Sequence, residues 1–293
     1  MESPSRLLKD SSITAETAEI DLDAYCARIG YSGPRAATIE TLAAIHFHHA
    51  LTIPFENLNP FLKWPVRLDE RSLQQKLLSE RRGGYCFEQN LLLSHVLAKL
   101  GFRVTRLAAR VLWNNPTTTM PARSHMLLRV EVSGRSYIAD VGFGGLTLTG
   151  PLLLEPEVEQ TTPHETFRLL RAGDALVMEA RIADAWAALY RFDLQEQFLA
   201  DYEVSNWYLS NHPGSRFVTQ LIAARPDRDR RYALLNNELA VHHLDGATER
   251  RDLKSAAELR AALEGVFLLD LPDKPEIQAA LENLARRTVM QDS

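Results

Sequence analysis

Three side chains in this sequence are of the types needed to make and break an acyl bond: Cys86, His125 and Asp140. Cys86 lies in Arg81-Arg82-Gly83-Gly84-Tyr85-Cys86-Phe87-Glu88-Gln89-Asn90, just after a glycine pair and at the head of an apolar, helix-like stretch. A helix N-terminus carries partial positive charge and unpaired N–H groups, which favour a thiolate over a thiol and can hold an oxyanion. Gly83 and Gly84 allow a sharp bend and close approach of a substrate. An ordinary thiol, with a pKa of about 8.5, is only partly ionised at neutral pH. An imidazole that accepts its proton, with a carboxylate on the second ring nitrogen, makes it an activated nucleophile. Ser124-His125 and Ala139-Asp140-Val141-Gly142-Phe143-Gly144 supply both groups downstream. The pattern points to cysteine-dependent acyl transfer.

A hairpin tests whether the histidine and aspartate can meet. Met126 to Val132 and Arg135 to Val141 favour strands, separated by Ser133-Gly134, a two-residue turn. If Val132 pairs with Arg135, Asp140 falls opposite Leu127, and His125 becomes its diagonal neighbour on the same face, about 7–8 Å away backbone to backbone. A loop one residue longer or shorter would separate them onto opposite faces. Each residue alone has a plainer reading: a lone cysteine is usually a small buried hydrophobe, a histidine at a strand start usually structural, an aspartate there a turn former. Cys26, on the apolar side of a helix, keeps the plain reading. The other three together do not.

The elements that must position these groups fall into blocks. Helical signals cover Asp21 to Gly30, Thr38 to Leu51, a segment opened by Leu68-Asp69, and Phe87 to Leu100 with Gly101 at the stop. Strand signals follow at Phe102–Trp113, in the hairpin, and at Thr166–Leu170 and Leu176–Ile182 around Ala172-Gly173-Asp174. A helical signal returns at Leu194–Ser210. The last 80 residues mix strands (Tyr232–Leu235, Glu238–Leu244) with a helix from Ser255 to about Glu264. Helices, then strands, then mixed elements predict three units in an α+β chain.

Composition narrows the classes. Hydrophobic residues make up 45% and charged residues 24% of 293, enough for a substantial core without crosslinks. A net charge of −5 offers no footprint for nucleic acid. The densest basic stretch, Arg225 to Arg231, contains Asp227 and Asp229 and reads as a solvated loop. Two cysteines point to a reducing compartment, and no window suggests a signal peptide or membrane span, so the expected location is cytoplasmic. Met1 to about Glu16 is polar and aperiodic, an expected disordered arm.

Arg82-Gly83-Gly84-Tyr85-Cys86-Phe87-Glu88-Gln89-Asn90 resembles the Arg-Gly-Gly-x-Cys-x-Glu-x-Asn signature of the arylamine N-acetyltransferases. Pro54-Phe55-Glu56-Asn57-Leu58 resembles that family's upstream motif and Asp140-Val141-Gly142-Phe143-Gly144 its aspartate motif. The gaps of 39 residues from Cys86 to His125 and 15 from there to Asp140 fit as well. The resemblance runs from about Asp21 to the C-terminus, weakening after residue 150. It implies a three-domain fold around a papain/transglutaminase-like catalytic core: an N-terminal helical bundle over 1–101, a β-barrel with linking helix over 102–210, and a C-terminal α/β lid over 211–293.

The resemblance also implies acetyl-CoA as co-substrate, with no metal, and ping-pong acetylation of arylamines, arylhydrazines or N-hydroxyarylamines through an acetyl-Cys86 intermediate. Carried across, Cys86 is the nucleophile, His125 the general base and acid, and Asp140 the orienting carboxylate. Arg82 and Glu56 form a structural ion pair, and Phe55, Ser124, Phe143 and Gly144 line the acceptor or coenzyme pocket. The chain departs from the family at Asn211, where threonine is usual. No nucleic-acid or membrane partner is implied. Amide synthases of macrolactam pathways look like the same family, and hydrolytic or transglutaminase-like enzymes share the Cys-His-Asp order, so both remain as alternatives.

Other features of the sequence invite function. His46, His48 and His49 lack acidic or thiol ligands at matching spacing, which favours a partly exposed helix face over a metal site, and His242-His243 point to opposite faces of a strand. Gly142-Phe143-Gly144-Gly145 lacks the order of a phosphate-binding loop. Trp186, Trp207 and Tyr208 read as packing aromatics.

Overall fold

The computed structural model describes residues 19–115 and 119–289; the arm expected over Met1 to Glu16 lies outside them. Asp21 caps α1 (Leu22–Ile29), its carboxylate accepting from the Ala24 N–H at 2.9 Å. Thr38 caps α2 (Ile39–Thr52) in the same way. The chain then forms a short strand, β1 (Phe55–Glu56), and two short helices, α3 (Leu58–Phe61) and α4 (Glu70–Gln74), the latter continuing as a π-helical turn over Gln75–Ser79.

Helix α5 (Cys86–Lys99) starts one residue before the apolar pattern, because Tyr85 takes an extended N-cap conformation. Every residue from Cys86 to Ser94 is buried, so α5 is a central helix packed all round rather than an amphipathic surface one. Leu91, Leu92, Val96 and Leu97 join Tyr25, Leu42 and Ile45 of the first helices in one apolar core.

The strands that follow are β2 (Arg103–Val111), β3 (Arg123–Val132), β4 (Arg135–Ala139), β5 (Leu152–Leu153), β6 (Glu159–Thr161), β7 (Thr166–Ala172), β8 (Ala175–Ile182) and β9 (Ala185–Phe192). They form one antiparallel sheet in the order β5-β4-β3-β2-β9-β8-β7-β6. The sheet curls into a nearly closed barrel. Its end strands are bridged by the Gln160 side chain, which accepts from the Leu153 N–H at 2.7 Å and donates to the Leu153 carbonyl at 2.8 Å. Alternation along β2 and β3 divides their side chains. Leu107 and Leu127 fill the barrel with Phe167, Leu169 and Met178, whereas Met126, Leu128 and Val130 pack outward in the same core as α5.

The sequence pattern misses β9. It follows β8 through a two-residue turn, Ala183-Asp184, in which Ala183 has φ +51, a conformation alanine rarely signals. The helix expected from Leu194 begins later: α6 spans Leu199–Asn211, after Asp201 accepts from the Phe198 N–H and sets the start.

After a short helix, α7 (Arg216–Thr219), a second antiparallel sheet takes the order β1-β10-β11-β12-β13, with β10 (Ile222–Pro226), β11 (Arg230–Leu235), β12 (Glu238–His243) and β13 (Thr248–Asp252). Helices α8 (Ala256–Gly265) and α9 (Pro275–Val289) cover it through Leu259, Leu263, Ile277 and Leu281, packed on Leu234 and Leu239. β1 comes from the first third of the chain and pairs with β10, Phe55 opposite Ala224.

Three surface readings change. Arg225 and Arg231 are buried, not solvated: Arg231 Nε donates to Glu165 at 2.7 Å, and Arg225 donates to the Val266 and Leu51 carbonyls at 2.8 and 3.0 Å. His46 and His49 face the core, not solvent. Trp207 and Tyr208 are 65% and 49% exposed, so they do not pack the interior. Among the described residues no helix is long and apolar enough to cross a membrane.

Candidate active site

The site is built where the head of α5 meets the β3–β4 hairpin. Ser133 and Gly134 both have positive φ, +49 and +77, as the two-residue turn demands. The pairing runs from Val132 opposite Arg135 to Leu128 opposite Ala139. His125 on β3 and Asp140 just past β4 then face each other, His125 Nε2 lying 2.7 Å from Asp140 Oδ2. This leaves Nδ1 as the ring nitrogen not bonded to Asp140, and Cys86 lies close enough to the same ring to favour its charged form. The Cys86 Sγ also lies 3.6 Å from the Ser124 carbonyl oxygen. Cys86, His125 and Asp140 are all buried, at 4%, 3% and 0% exposure.

Close backbone contact makes this meeting possible. A Cβ on Gly142 would fall 2.7 Å from the Cys86 Cα, and one on Gly83 would fall 2.1 Å from the Pro54 carbonyl oxygen. Any side chain at either position would push the hairpin or β1 away from the head of α5. Tyr85 offers no side-chain acceptor to the first-turn N–H groups of α5, and its hydroxyl turns away to Asn206. Glu88 instead reaches back to the Tyr85 N–H at 3.1 Å.

Electrostatics follow from burial and neighbours. Burial alone would lower the pKa of His125, but the Asp140 charge and hydrogen bond, with Cys86, outweigh it and raise it to about 10. Burial would raise the Asp140 carboxyl, but His125, Asn90 and the Gly142 N–H hold it below the usual carboxylate range. Beneath the site, Arg82 donates to Glu56 at 2.6 and 3.1 Å. Lys76 donates to Glu88 at 2.6 Å and lies 3.7 Å from Glu56. Two buried cations thus face two buried carboxylates.

The other expected pocket residues surround the same point. Phe143 sits edge-on to His125, ring centres 5.2 Å apart. Gly144 lies against the Phe55 ring, which faces Phe217 at 6.1 Å. Among the described residues the Asn211 side chain makes local hydrogen bonds, donating to the Trp207 carbonyl at 3.0 Å and to the Ser210 hydroxyl at 2.9 Å.

Sequence reasoning gave no role to three neighbours. Asn90, one helical turn after Cys86, donates to Asp140 Oδ1 at 3.0 Å and the Met126 carbonyl at 2.7 Å, and accepts from the Val141 N–H. Its i+4 spacing from Cys86 was the available signal. His46 Nε2 accepts from the Asp140 N–H at 3.1 Å, and burial lowers its pKa to about 4. Tyr190, on the unanticipated β9, lies 5.0 Å from the His125 ring. No group of three or more His, Cys, Asp or Glu that could hold a metal occurs among the described residues.

Comparison with known proteins bears on the family and the fold. A family model described as N-acetyltransferase matches residues 38–276. The chain is 44% identical to arylamine N-acetyltransferase of Escherichia coli K12, over 86% of this chain and 90% of that protein. It is 38% identical to arylamine N-acetyltransferase / N-hydroxyarylamine O-acetyltransferase of Salmonella typhimurium, over 86% and 90%. The solved structure of Mycobacterium marinum arylamine N-acetyltransferase in complex with CoA superposes with a TM-score of 0.87 at 40% identity, covering 90% of this chain and 99% of that one. The three-part fold, the helical start, the barrel and the covered C-terminal sheet are therefore shared with these proteins, and the chain belongs to the arylamine N-acetyltransferase family.

Proposed function

We propose that the protein transfers an acetyl group from acetyl-CoA to arylamines and arylhydrazines, and to the oxygen of N-hydroxyarylamines, through an acetyl-Cys86 intermediate. The observation that carries this reading is the buried His125–Asp140 pair, 2.7 Å apart, beside a cysteine at the head of α5. The names of the relatives and the CoA complex of a neighbouring structure support the choice of donor and acceptor.

His125 accepts the Cys86 proton, and the sulfur attacks the thioester carbonyl. The developing oxyanion lies over the first-turn N–H groups of α5, which no Tyr85 side-chain group occupies. The carbon–sulfur bond to CoA breaks, and the leaving thiolate takes the proton from His125. The amine nitrogen then attacks acetyl-Cys86, gives a proton to His125, and releases the cysteine. Asp140 stabilises the imidazolium in both halves and fixes its tautomer. Arg82, Glu56, Lys76 and Glu88 brace the turn before Cys86, while Phe55, Phe143 and Gly144 form the wall an aromatic acceptor would meet.

Initial rates measured at several fixed arylhydrazine concentrations test the order of events. Parallel double-reciprocal lines against acetyl-CoA are expected. Intersecting lines would mean that both substrates must be bound together, and the intermediate would be lost from the account.

A further inference from the structure

The loop that follows Asp140 carries Phe143 and Gly144, and two different parts of the molecule hold it. On the side of the catalytic pair, the Gly142 N–H donates to Asp140 Oδ1 at 3.0 Å. The Phe143 N–H donates to the Thr147 hydroxyl at 2.9 Å, and the Thr147 N–H donates to the Gly144 carbonyl at 3.1 Å. These two bonds close the loop on itself, so Phe143 moves with Thr147. Beyond Gly144 the loop is tied toward the C-terminal sheet.

One guanidinium joins three segments there. Arg231 of β11 is buried, and it meets Glu165 in the turn between β6 and β7 bidentately, Nε to Oε1 at 2.7 Å and Nη2 to Oε2. Its remaining nitrogen, Nη1, donates to the Gly145 carbonyl at 3.4 Å. His164, next to Glu165, makes a parallel tie. Its Nε2 lies 2.6 Å from the Asp227 carbonyl oxygen, just past β10. A carbonyl can only accept, so Nε2 carries the proton. Burial, and then the Arg231 charge, lower the pKa of this ring and keep it neutral. Nδ1 therefore accepts from the hydroxyl of Thr149, itself fully buried, at 3.1 Å. Gly145 and Thr149 thus take their places from β11 and the turn after β10. Asp140 and His125 take theirs from the hairpin, Asn90 and His46.

We propose that Arg231, Glu165 and His164 are positioning residues for the wall made by Phe143 and Gly144, through which the C-terminal sheet sets how well an aromatic ring is held beside acetyl-Cys86; this rests on the acetyl-transfer reading above. Misplacing a positioning surface by about 1 Å can cost a large part of a rate even when the reacting groups are intact. Loosening these ties shifts the wall and leaves the His125–Asp140 pair where it is, so the effect falls on acceptors that carry a ring.

The test compares phenylhydrazine with hydrazine, an acceptor with the same nucleophilic group and no ring, in the wild type, in Thr149→Val and in the double variant Arg231→Met/Glu165→Leu. The double variant is used because Arg231→Met alone would leave a carboxylate without its partner and endanger the fold. Each variant is expected to lose about tenfold in kcat/KM for phenylhydrazine, mainly through KM, and to stay within about twofold for hydrazine. Equal losses with both acceptors would assign these residues a general structural role and overturn the proposal, as would no loss with phenylhydrazine. Amide hydrogen exchange gives a second readout independent of turnover. Exchange over residues 142–149 should quicken by about tenfold in both variants while residues 126–139 keep their protection, and unchanged exchange over 142–149 overturns the proposal. A wild type that gains no acetyl group from acetyl-CoA, with exchange altered in the variants as expected, would end the acetyl-transfer reading and uphold the positioning of the wall.

Discussion

His125 titrates under two opposing influences, and its behaviour separates a working pair from a buried ornament. Burial disfavours the imidazolium, while Asp140 and Cys86 favour it strongly enough to bring the pKa to about 10. A histidine raised above its unfolded value of about 6.5 contributes stability in full below that pH and loses it as pH rises through about 10. Asp140→Asn keeps the shape of the hydrogen bond and removes the charge. We expect it to cut the acetylation rate by about 10³–10⁴ and to flatten the decline in thermal midpoint between pH 6.5 and about 10. Near-wild-type turnover in this variant would remove Asp140 from the mechanism. His125 and Asp140 were legible as a pair because one two-residue turn sets the hairpin register, and Cys86 because a glycine pair precedes it at a helix start. Asn90 and His46 were not given roles because their partners are a side chain and a backbone N–H supplied by distant parts of the chain.

At the scale of elements, α2 and α5 show how polar groups are kept dry. His49 on α2 accepts or donates between the Tyr25 hydroxyl at 2.8 Å and the Gln89 side chain at 2.7 Å, and Gln89 in turn donates to the Pro54 carbonyl at 2.7 Å. Burial lowers His46 to about 4 and His49 to about 3. Both groups therefore hold fewer protons folded than unfolded, so their contribution is complete above about pH 6.5 and is lost as pH falls toward 4. Each adds a slope of up to about 1.4 kcal/mol per pH unit, which urea unfolding between pH 4.5 and 6.5 would record. A flat profile would mean that the fold accepts protons at both. Helical periodicity located α2 but not its buried polar face, since nearly every side of α2 and α5 meets another element. The ion cluster is similarly exacting. Arg82→Leu leaves Glu56 with Lys76 at 3.7 Å and the Leu58 N–H as partners. It should cost about 3–5 kcal/mol, much of which Glu56→Leu in the same chain recovers. A cost below about 1 kcal/mol would show that Glu56 takes up a proton or water instead.

Across the whole molecule, one asparagine adds to the β1–β10 pairing that fastens the C-terminal sheet to the head of the chain. Asn57 donates to the Phe217 and Gln220 carbonyls at 2.8 and 2.7 Å and accepts from the Ile222 N–H at 2.7 Å. Phe217 in turn stands 5.5 Å from the Tyr85 ring, next to Cys86. Asn57→Ala should cost about 2–4 kcal/mol, three hydrogen bonds with buried groups left unpaired, and should open the segment near residues 212–221 to limited proteolysis. Unchanged protection there would place the fastening elsewhere. This long-range pairing was hidden from periodicity because β1 is two residues long and its partner lies more than 160 residues away.

The most direct test of the account is intact mass spectrometry of the protein mixed with acetyl-CoA alone, followed by addition of an arylhydrazine. The account predicts a single acetyl group that maps to Cys86, persists without acceptor, and disappears as acetylated hydrazine forms. A folded protein that gains no acetyl group, or gains it at another residue, would contradict it.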